Sequence, residues 1–257
     1  MKPDFVETDN VHRFKAALTA MENRGADEAC LMVVDGSPGL GKTSALYHWV
    51  AQTGTIYLRA NAEWRPSWFL EDLLNAFRIR PQHSFQKRFQ QSMEALLMRQ
   101  QQHMMAKKTF AVVIDEADHI SRKREIMETI RDFSDGGNIP FVLVGMGKIR
   151  DNLARYPQVS SRISQYVRFE PASFEDVSRF VAVKSDAAVA PDLMTFIHRV
   201  SGGFNREIKE AISTIETFAG RNKIGQADRP VTMADMSGQF LVNDRKTGIA
   251  VHVPEAH

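Results

Sequence analysis

The sequence predicts an α/β fold, a five-stranded parallel sheet covered by helices on both sides and followed by a small all-helical region. Two observations carry this. The apolar runs Leu31–Val34, Thr55–Leu58, Phe110–Ile114, Phe141–Val144 and Tyr166–Phe169 are short and unbroken rather than alternating, as strands buried on both faces are. Segments of helical periodicity separate them, and beyond Pro171 only helical patterns remain.

The first strand runs directly into Gly36-Ser37-Pro38-Gly39-Leu40-Gly41-Lys42-Thr43, and Ser44 to Val50 then reads as a helix. This is G-x-x-x-x-G-K-[ST] in the strand, loop, helix context that gives the motif meaning, so the class narrows to a P-loop NTPase. The glycines let backbone N–H groups turn onto a phosphate, Lys42 brings a cation to the β- and γ-phosphates, and the Thr43 hydroxyl can ligate Mg²⁺. A plain glycine turn would not require the Lys-Thr pair at its end. Gly36 to Ser44 are therefore the candidate ATP-binding residues.

After the second strand comes Arg59 to Trp68, in which Trp64 and Trp68 read as packing aromatics rather than base-stacking ones, and Arg65 as a candidate DNA contact. An insertion follows with concentrated charge: from Arg78 to Lys108 there are seven basic residues against one acid, Glu94. A helix starting near Ser84 would turn Phe85, Phe89, Met93, Leu96, Leu97 and Met104 toward the sheet. Arg88, Gln91, Ser92, Arg99 and Gln102 would lie opposite. A polar basic face suits phosphate backbones, and a solvated helix face is the alternative. Lys87, Arg88 and Arg99 join Arg65 as candidates.

The third strand ends in Asp115-Glu116-Ala117-Asp118, a Walker B pattern. Asp115 is placed to hold Mg²⁺ and Glu116 to polarise an attacking water, which separates a hydrolase from a kinase. Asp118 reads as a carboxylate favoured at a helix N-terminus. Arg122-Lys123-Arg124 is either a solvated helix start or a second basic cluster. In the helical region, Ser173 opens a helix to about Lys184, Asp192–Val200 is a second, and a third runs from Asn205 to Ala219. Thr232-Met233-Ala234-Asp235 repeats the capping pattern for a short fourth helix. The expected division is 1–170 for the nucleotide-binding domain, 171–242 for the helical lid and 243–257 for a polar, mobile tail.

Composition adds limits. The net charge is only +2, so partners must be read from local clusters. The single cysteine, Cys30, excludes an internal disulfide and a cysteine-rich zinc site and reads as a small core residue. No apolar run approaches a membrane span and the first residues lack a signal-peptide core, so a cytoplasmic protein without membrane contact is expected.

With both Walker motifs and a trailing helical domain, the order of elements resembles the AAA+ ATPases. The resemblance implies that Arg162, in Ser161-Arg162 before the fifth strand, reaches the γ-phosphate of a neighbouring subunit. It likewise implies that Arg206, after Gly202-Gly203, senses nucleotide in its own subunit. Within AAA+, the chain is similar to the transposon target-selection ATPases, phage Mu transposition protein B and the TnsC type. The similarity rests on Glu7-Thr8 with Val11 and Arg13, Gly36–Thr43, Trp64–Leu74, Val113–Ala117, Phe141–Gly145 and the short lid. It implies ATP-dependent, sequence-independent binding to double-stranded DNA, self-assembly as a ring or filament, and recruitment of a transposase that stimulates hydrolysis. The glycine loop begins 35 residues from the start, so the extra N-terminal DNA-binding domain of the Mu protein is not expected. Where the family places a polar residue just past the fourth strand, this chain has Met146, which cannot hold the attacking water, so intrinsic hydrolysis should be slow.

Other readings are a clamp-loader-like or secretion-associated AAA+ ATPase and a P-loop kinase. The Asp115-Glu116 pair and the helical region argue against the kinase, and a two-lobed helicase would need a second RecA-like domain for which there is no room.

Overall fold

A computed structural model describes residues 2–255, so Met1 and the last two residues of the expected tail lie outside the described residues. Helix α1 (Asp9–Glu22) precedes β1 (Leu31–Asp35), α2 (Lys42–Thr53), β2 (Ile56–Arg59), α3 (Pro66–Ala76), α4 (Phe85–Met105) and β3 (Val112–Asp115). A 3₁₀ turn (Ala117–His119), α5 (Arg124–Gly137), β4 (Phe141–Val144), the short α6 (Ile149–Leu153) and α7 (Pro157–Ser160), and β5 (Ile163–Arg168) follow. Then come α8 (Phe174–Lys184), α9 (Pro191–Ser201), α10 (Asn205–Asn222), and strands β6 (Phe240–Asn243) and β7 (Ala250–His252). No helix among the described residues is long and apolar enough to cross a membrane.

The five predicted strands form one parallel sheet in the order β2-β3-β4-β1-β5. That order sends the chain from β1 at the inside to β2 at the edge, so the C-terminal ends of neighbouring β1 and β3–β4 gather the loops that carry Gly36 and Asp115. Leu31, Val33, Val112, Ile114, Phe141 and Leu143 form one core with Phe69, Leu70 and Leu73 of α3 and Ile130 and Phe133 of α5. The alternate residues Met32, Val34, Val113 and Val142 are equally buried, which is why the runs read as apolar without alternation.

The chain divides into two compact units. One holds Arg13–Ser37 and Lys42–Phe169, with the sheet; the other gathers Met1–His12, Pro38–Gly41 and Glu170–His257. The second has its own core, built by Val177 and Phe180 of α8, Leu193 and Ile197 of α9, and Ile208, Ile212 and Ile215 of α10. Ser173 caps α8 by accepting the Asp176 N–H at 3.1 Å, as the sequence pattern anticipates.

Two expectations fail in this unit. The segment at Thr232 is a turn, not a helix: Asp235 and Thr232 exchange the capping hydrogen bonds, but the Gly238 N–H then bonds Val253 O at 2.9 Å and the chain enters a strand. The stretch from Asn243 is not a loose tail either, because β6 and β7 pair as an antiparallel hairpin with Leu241, Val242 and Val253 buried.

Helix α4 starts where expected, with Ser84 accepting the Lys87 N–H at 3.3 Å, but its buried face is rotated. Ser92, Ala95, Leu96 and His103 are buried, and Phe89 and Met93 pack against the core. Phe85, Leu97 and Met104 are exposed instead. Small and compact residues permit the close approach, and the two ring nitrogens of His103 bond the carbonyl oxygens of Arg99 and Thr53, both at 2.9 Å.

Candidate nucleotide site

Gly36 leaves β1 with φ +147°, and a Cβ there would lie 2.6 Å from the carbonyl oxygen of Phe169, so only glycine fits. The loop then delivers Lys42 at the start of α2. Its ammonium donates to its own loop, to Gly36 O at 2.6 Å and Ser37 O at 3.0 Å, which holds the cation inside the turn. Burial lowers the Lys42 pKa, while Asp115, Asp118 and Asp35 oppose that shift.

Asp115 ends β3 almost fully buried and is satisfied from three directions. Thr43 Oγ1 and Tyr57 Oη each donate to its Oδ2 at 2.9 Å, and the Glu116 N–H donates to Oδ1 at 2.8 Å. The sequence reading missed Tyr57. Its position two residues before the end of β2, one strand from β3, was the available signal. Its phenol pKa is pushed up, first by burial and then by hydrogen bonds with Tyr47 and Asp115. Thr43 and Asp115 form a hard-oxygen pair of the kind Mg²⁺ takes when water and phosphate oxygens complete its shell. Among the described residues there is no cluster of three or more acidic, His or Cys side chains suited to a metal.

Glu116 takes a left-handed conformation, φ 55° and ψ 33°, which costs a non-glycine residue about 1–2 kcal/mol. It turns the side chain toward β2, where Arg59 Nη2 donates to Oε1 at 2.6 Å. That hydrogen bond is the main reason the Glu116 carboxyl sits below the usual carboxylate range. Arg59 was not singled out from sequence.

Asp118 lies in the first turn of the 3₁₀ helix, as expected, and its carboxylate has a second task. It accepts a hydrogen bond from the Met146 N–H, and a Cβ on Gly145 would collide with its carboxylate, so it ties the loop after β3 to the end of β4. The Met146 side chain is exposed, and no polar side chain occupies that position.

Residues 26–153 match a family model described as an AAA domain. This segment is an AAA-type P-loop ATPase domain. The AAA domain and its helical unit resemble solved structures in fold. The ORC1 protein of Aeropyrum pernix, determined in complex with DNA, has a TM-score of 0.57 at 15% identity over 89% of this chain and 65% of that one. The ORC2 protein of Aeropyrum pernix, determined as ADPNP–ADP complexes, has 0.60 at 15% identity over 87% and 66%. A RuvB mutant of Thermotoga maritima has 0.54 at 19% identity over 88% and 67%. The chain thus spans 65% and 66% of the length of the two ORC structures. No curated protein matches it.

The two arginines assigned by resemblance stand where the sequence puts them, before β5 and at the start of α10. Arg162 lies before β5 and donates from Nε to Asp135 Oδ1 of α5 at 2.6 Å. Arg206, in the first turn of α10, is exposed and makes no side-chain hydrogen bond or ion pair among the described residues. Of the DNA candidates, Arg65 and Lys87 are exposed. Arg88 is not available: it is largely buried, pairs with Glu71 Oε1 at 2.5 Å, and donates to Ser67 Oγ at 2.6 Å. Arg99 folds back onto the body, donating to Gly54 O at 3.2 Å with its guanidinium 5.7 Å from the Phe77 ring centroid. Trp64 is a core residue whose Nε1–H donates to Asp72 at 2.7 Å, whereas Trp68 is exposed, against the packing expectation.

Proposed function

We propose that this AAA domain couples ATP to attachment on duplex DNA: with ATP it assembles as a ring or filament on DNA, and a transposase engaging that assembly triggers hydrolysis. In this reading the glycine loop and Lys42 hold the phosphates, and Thr43 and Asp115 would hold Mg²⁺, which would neutralise phosphate charge. Glu116 takes the proton of the attacking water once Arg59 releases it. Arg162, freed from Asp135, serves a neighbouring subunit, and Arg206 senses nucleotide in its own.

The observation that carries the DNA reading is a depression between Trp64 and Ile126 whose lining holds Arg65, Lys123 and Arg124 against one acid, Glu125. It brings together Arg65 and the Arg122–Arg124 run, two clusters far apart in sequence. Lys123 Nζ donates to Ala62 O and Trp64 O, fixing the Arg65 loop beside the start of α5, while Arg65 and Arg124 stay exposed. α5 begins here without a side-chain cap, and the positive end of its backbone dipole faces the same side. The fold likeness to an ORC1 protein solved with DNA supports the same reading.

Fluorescence anisotropy with a labelled duplex tests it, using a slowly hydrolysed ATP analogue, ADP and no nucleotide. Binding that requires the analogue supports the switch. Equal binding in all three states rejects it. Stimulation of hydrolysis by a transposase, and not by DNA alone, would separate the target-selection role from a clamp-loader-like one.

A further inference from the structure

Three successive carbonyl groups of the glycine loop are each held by a named donor. Arg245 Nη2 donates to Pro38 O at 2.6 Å, the Asn205 N–H donates to Gly39 O at 3.0 Å, and Asn205 Nδ2 donates to Leu40 O at 3.3 Å. All of these groups belong to the unit that gathers Pro38–Gly41 with Glu170–His257. The peptide bond is planar and trans, with no cis bond in the described chain, so each C=O fixes the opposite direction of the next residue's N–H. Holding the carbonyls of residues 38, 39 and 40 therefore sets the N–H groups of Gly39, Leu40 and Gly41. These are the donors that a phosphate nest needs.

Arg245 is itself anchored. Its Nη1 donates to Glu207 Oε1 at 2.7 Å, and its guanidinium carbon lies 4.1 Å from the Phe204 ring centroid. The β6–β7 turn presents it rigidly, because Asp244 Oδ1 accepts from the N–H of Lys246 at 3.0 Å and of Thr247 at 2.7 Å. Space at the loop is tight: a Cβ on Gly39 would lie 2.9 Å from Arg245 Nη1. Glu207 is buried and its Oε2 accepts no hydrogen bond from any described residue, so the carboxylate depends on Arg245 for neutralisation.

We propose that Arg245, acting with Asn205, is a positioning residue for nucleotide: it presets the peptide planes of residues 38–41 so that the N–H groups of Gly39, Leu40 and Gly41 donate to phosphate without rearrangement. This rests on the ATP-binding reading above. It also makes the β6–β7 hairpin a reporter of the loop, since binding that favours the preset loop must favour the seated hairpin by the same factor.

The test uses the full chain and ADP as probe, by calorimetric titration. Arg245→Ala alone would strand the Glu207 charge, so the decisive protein is Arg245→Ala in a Glu207→Gln background, with Glu207→Gln as control. The double variant should keep a cooperative thermal transition yet bind ADP about tenfold more weakly, the effect of losing one charge-assisted hydrogen bond. Glu207→Gln should stay within about twofold of wild type, because it leaves the bond to Pro38 intact. Arg245→Lys in the same background should restore ADP affinity only in part, lacking the guanidinium fork. A folded double variant with wild-type ADP affinity would overturn the proposal. Hydrogen exchange of the glycine-loop amides without nucleotide decides it independently: faster exchange in the double variant supports the positioning role, and unchanged exchange overturns it. If the wild type bound neither ADP nor ATP, the ATP reading would fail, and the exchange result would still judge Arg245.

Discussion

Arg59 Nη2 lies 2.6 Å from Glu116 Oε1, so the carboxylate proposed to activate water is already engaged by a guanidinium from the neighbouring strand. A base in an ion pair is a weaker base. Removing the partner should therefore strengthen it.

Arg59→Ala is expected to raise basal ATP hydrolysis by roughly threefold to tenfold and to blunt stimulation by partners, measured as phosphate release in single turnover. Glu116→Gln should bind ATP normally and hydrolyse it at least about a hundredfold more slowly. The pH dependence has a defined sign. Arg59 holds the Glu116 carboxyl below its ordinary range, and the working form is ionised. Activity is thus present above the depressed pKa and lost as pH falls through it. In Arg59→Ala the acid limb should move to higher pH. An unmoved limb would remove Glu116 from the base role.

Tyr57→Phe deletes one of three donors to the buried Asp115 carboxylate. Stability should fall by about 1 kcal/mol. The Mg²⁺ concentration for half-maximal hydrolysis should rise roughly tenfold, because the group that orients the metal-binding oxygen is gone. A magnesium titration at saturating ATP separates this from a general loss of activity.

For the DNA surface, Arg65→Ala and Arg124→Ala should each lower the slope of log K against log salt by about 0.9 per contacting subunit while leaving ATP binding intact. Arg88→Ala should behave in the opposite way. It should cost about 1 kcal/mol of stability through lost bonds to Glu71 and Ser67, with the salt slope unchanged. A salt-slope change in Arg88→Ala would return α4 to the DNA path.

If Arg162 serves a neighbouring subunit, hydrolysis per subunit should increase with protein concentration. Mixtures of Arg162→Ala and Lys42→Ala should recover activity that neither has alone. Asp135→Asn should raise activity at low concentration, since it frees the guanidinium that Asp135 now holds. Failure to complement at any ratio would leave Arg162 a structural residue.

The sheet and the glycine loop were legible because each rests on a local signal: unbroken apolar runs for β1–β5, and glycines followed by Lys42-Thr43 for the loop. What was missed depends on contacts between distant segments. The Thr232–Asp235 capping bonds do form, but Gly238 and Val253 redirect the chain into a hairpin that local periodicity cannot reveal. Over the 21 residues of α4, counting by threes and fours drifts, and Ser92 and His103 are buried through neighbours that the helix sequence does not name. Arg59 and Tyr57 gain their roles only because β2 pairs with β3, with Arg59 in register with Asp115. Arg88 looked available for DNA only while its partners Glu71 and Ser67, both on α3, were unseen.

Tyr57 also makes the carboxylate proposed to hold Mg²⁺ visible to light. Its ring centroid lies 4.6 Å from that of Tyr47, and its hydroxyl is bonded to Asp115. Two coupled phenols beside a carboxylate form an asymmetric chromophore whose near-ultraviolet circular dichroism follows the state of that carboxylate. When Mg²⁺ arrives and draws electron density from Asp115, the tyrosine band should shift in the unlabelled protein, and Tyr47→Phe should silence most of the signal while leaving the metal site whole.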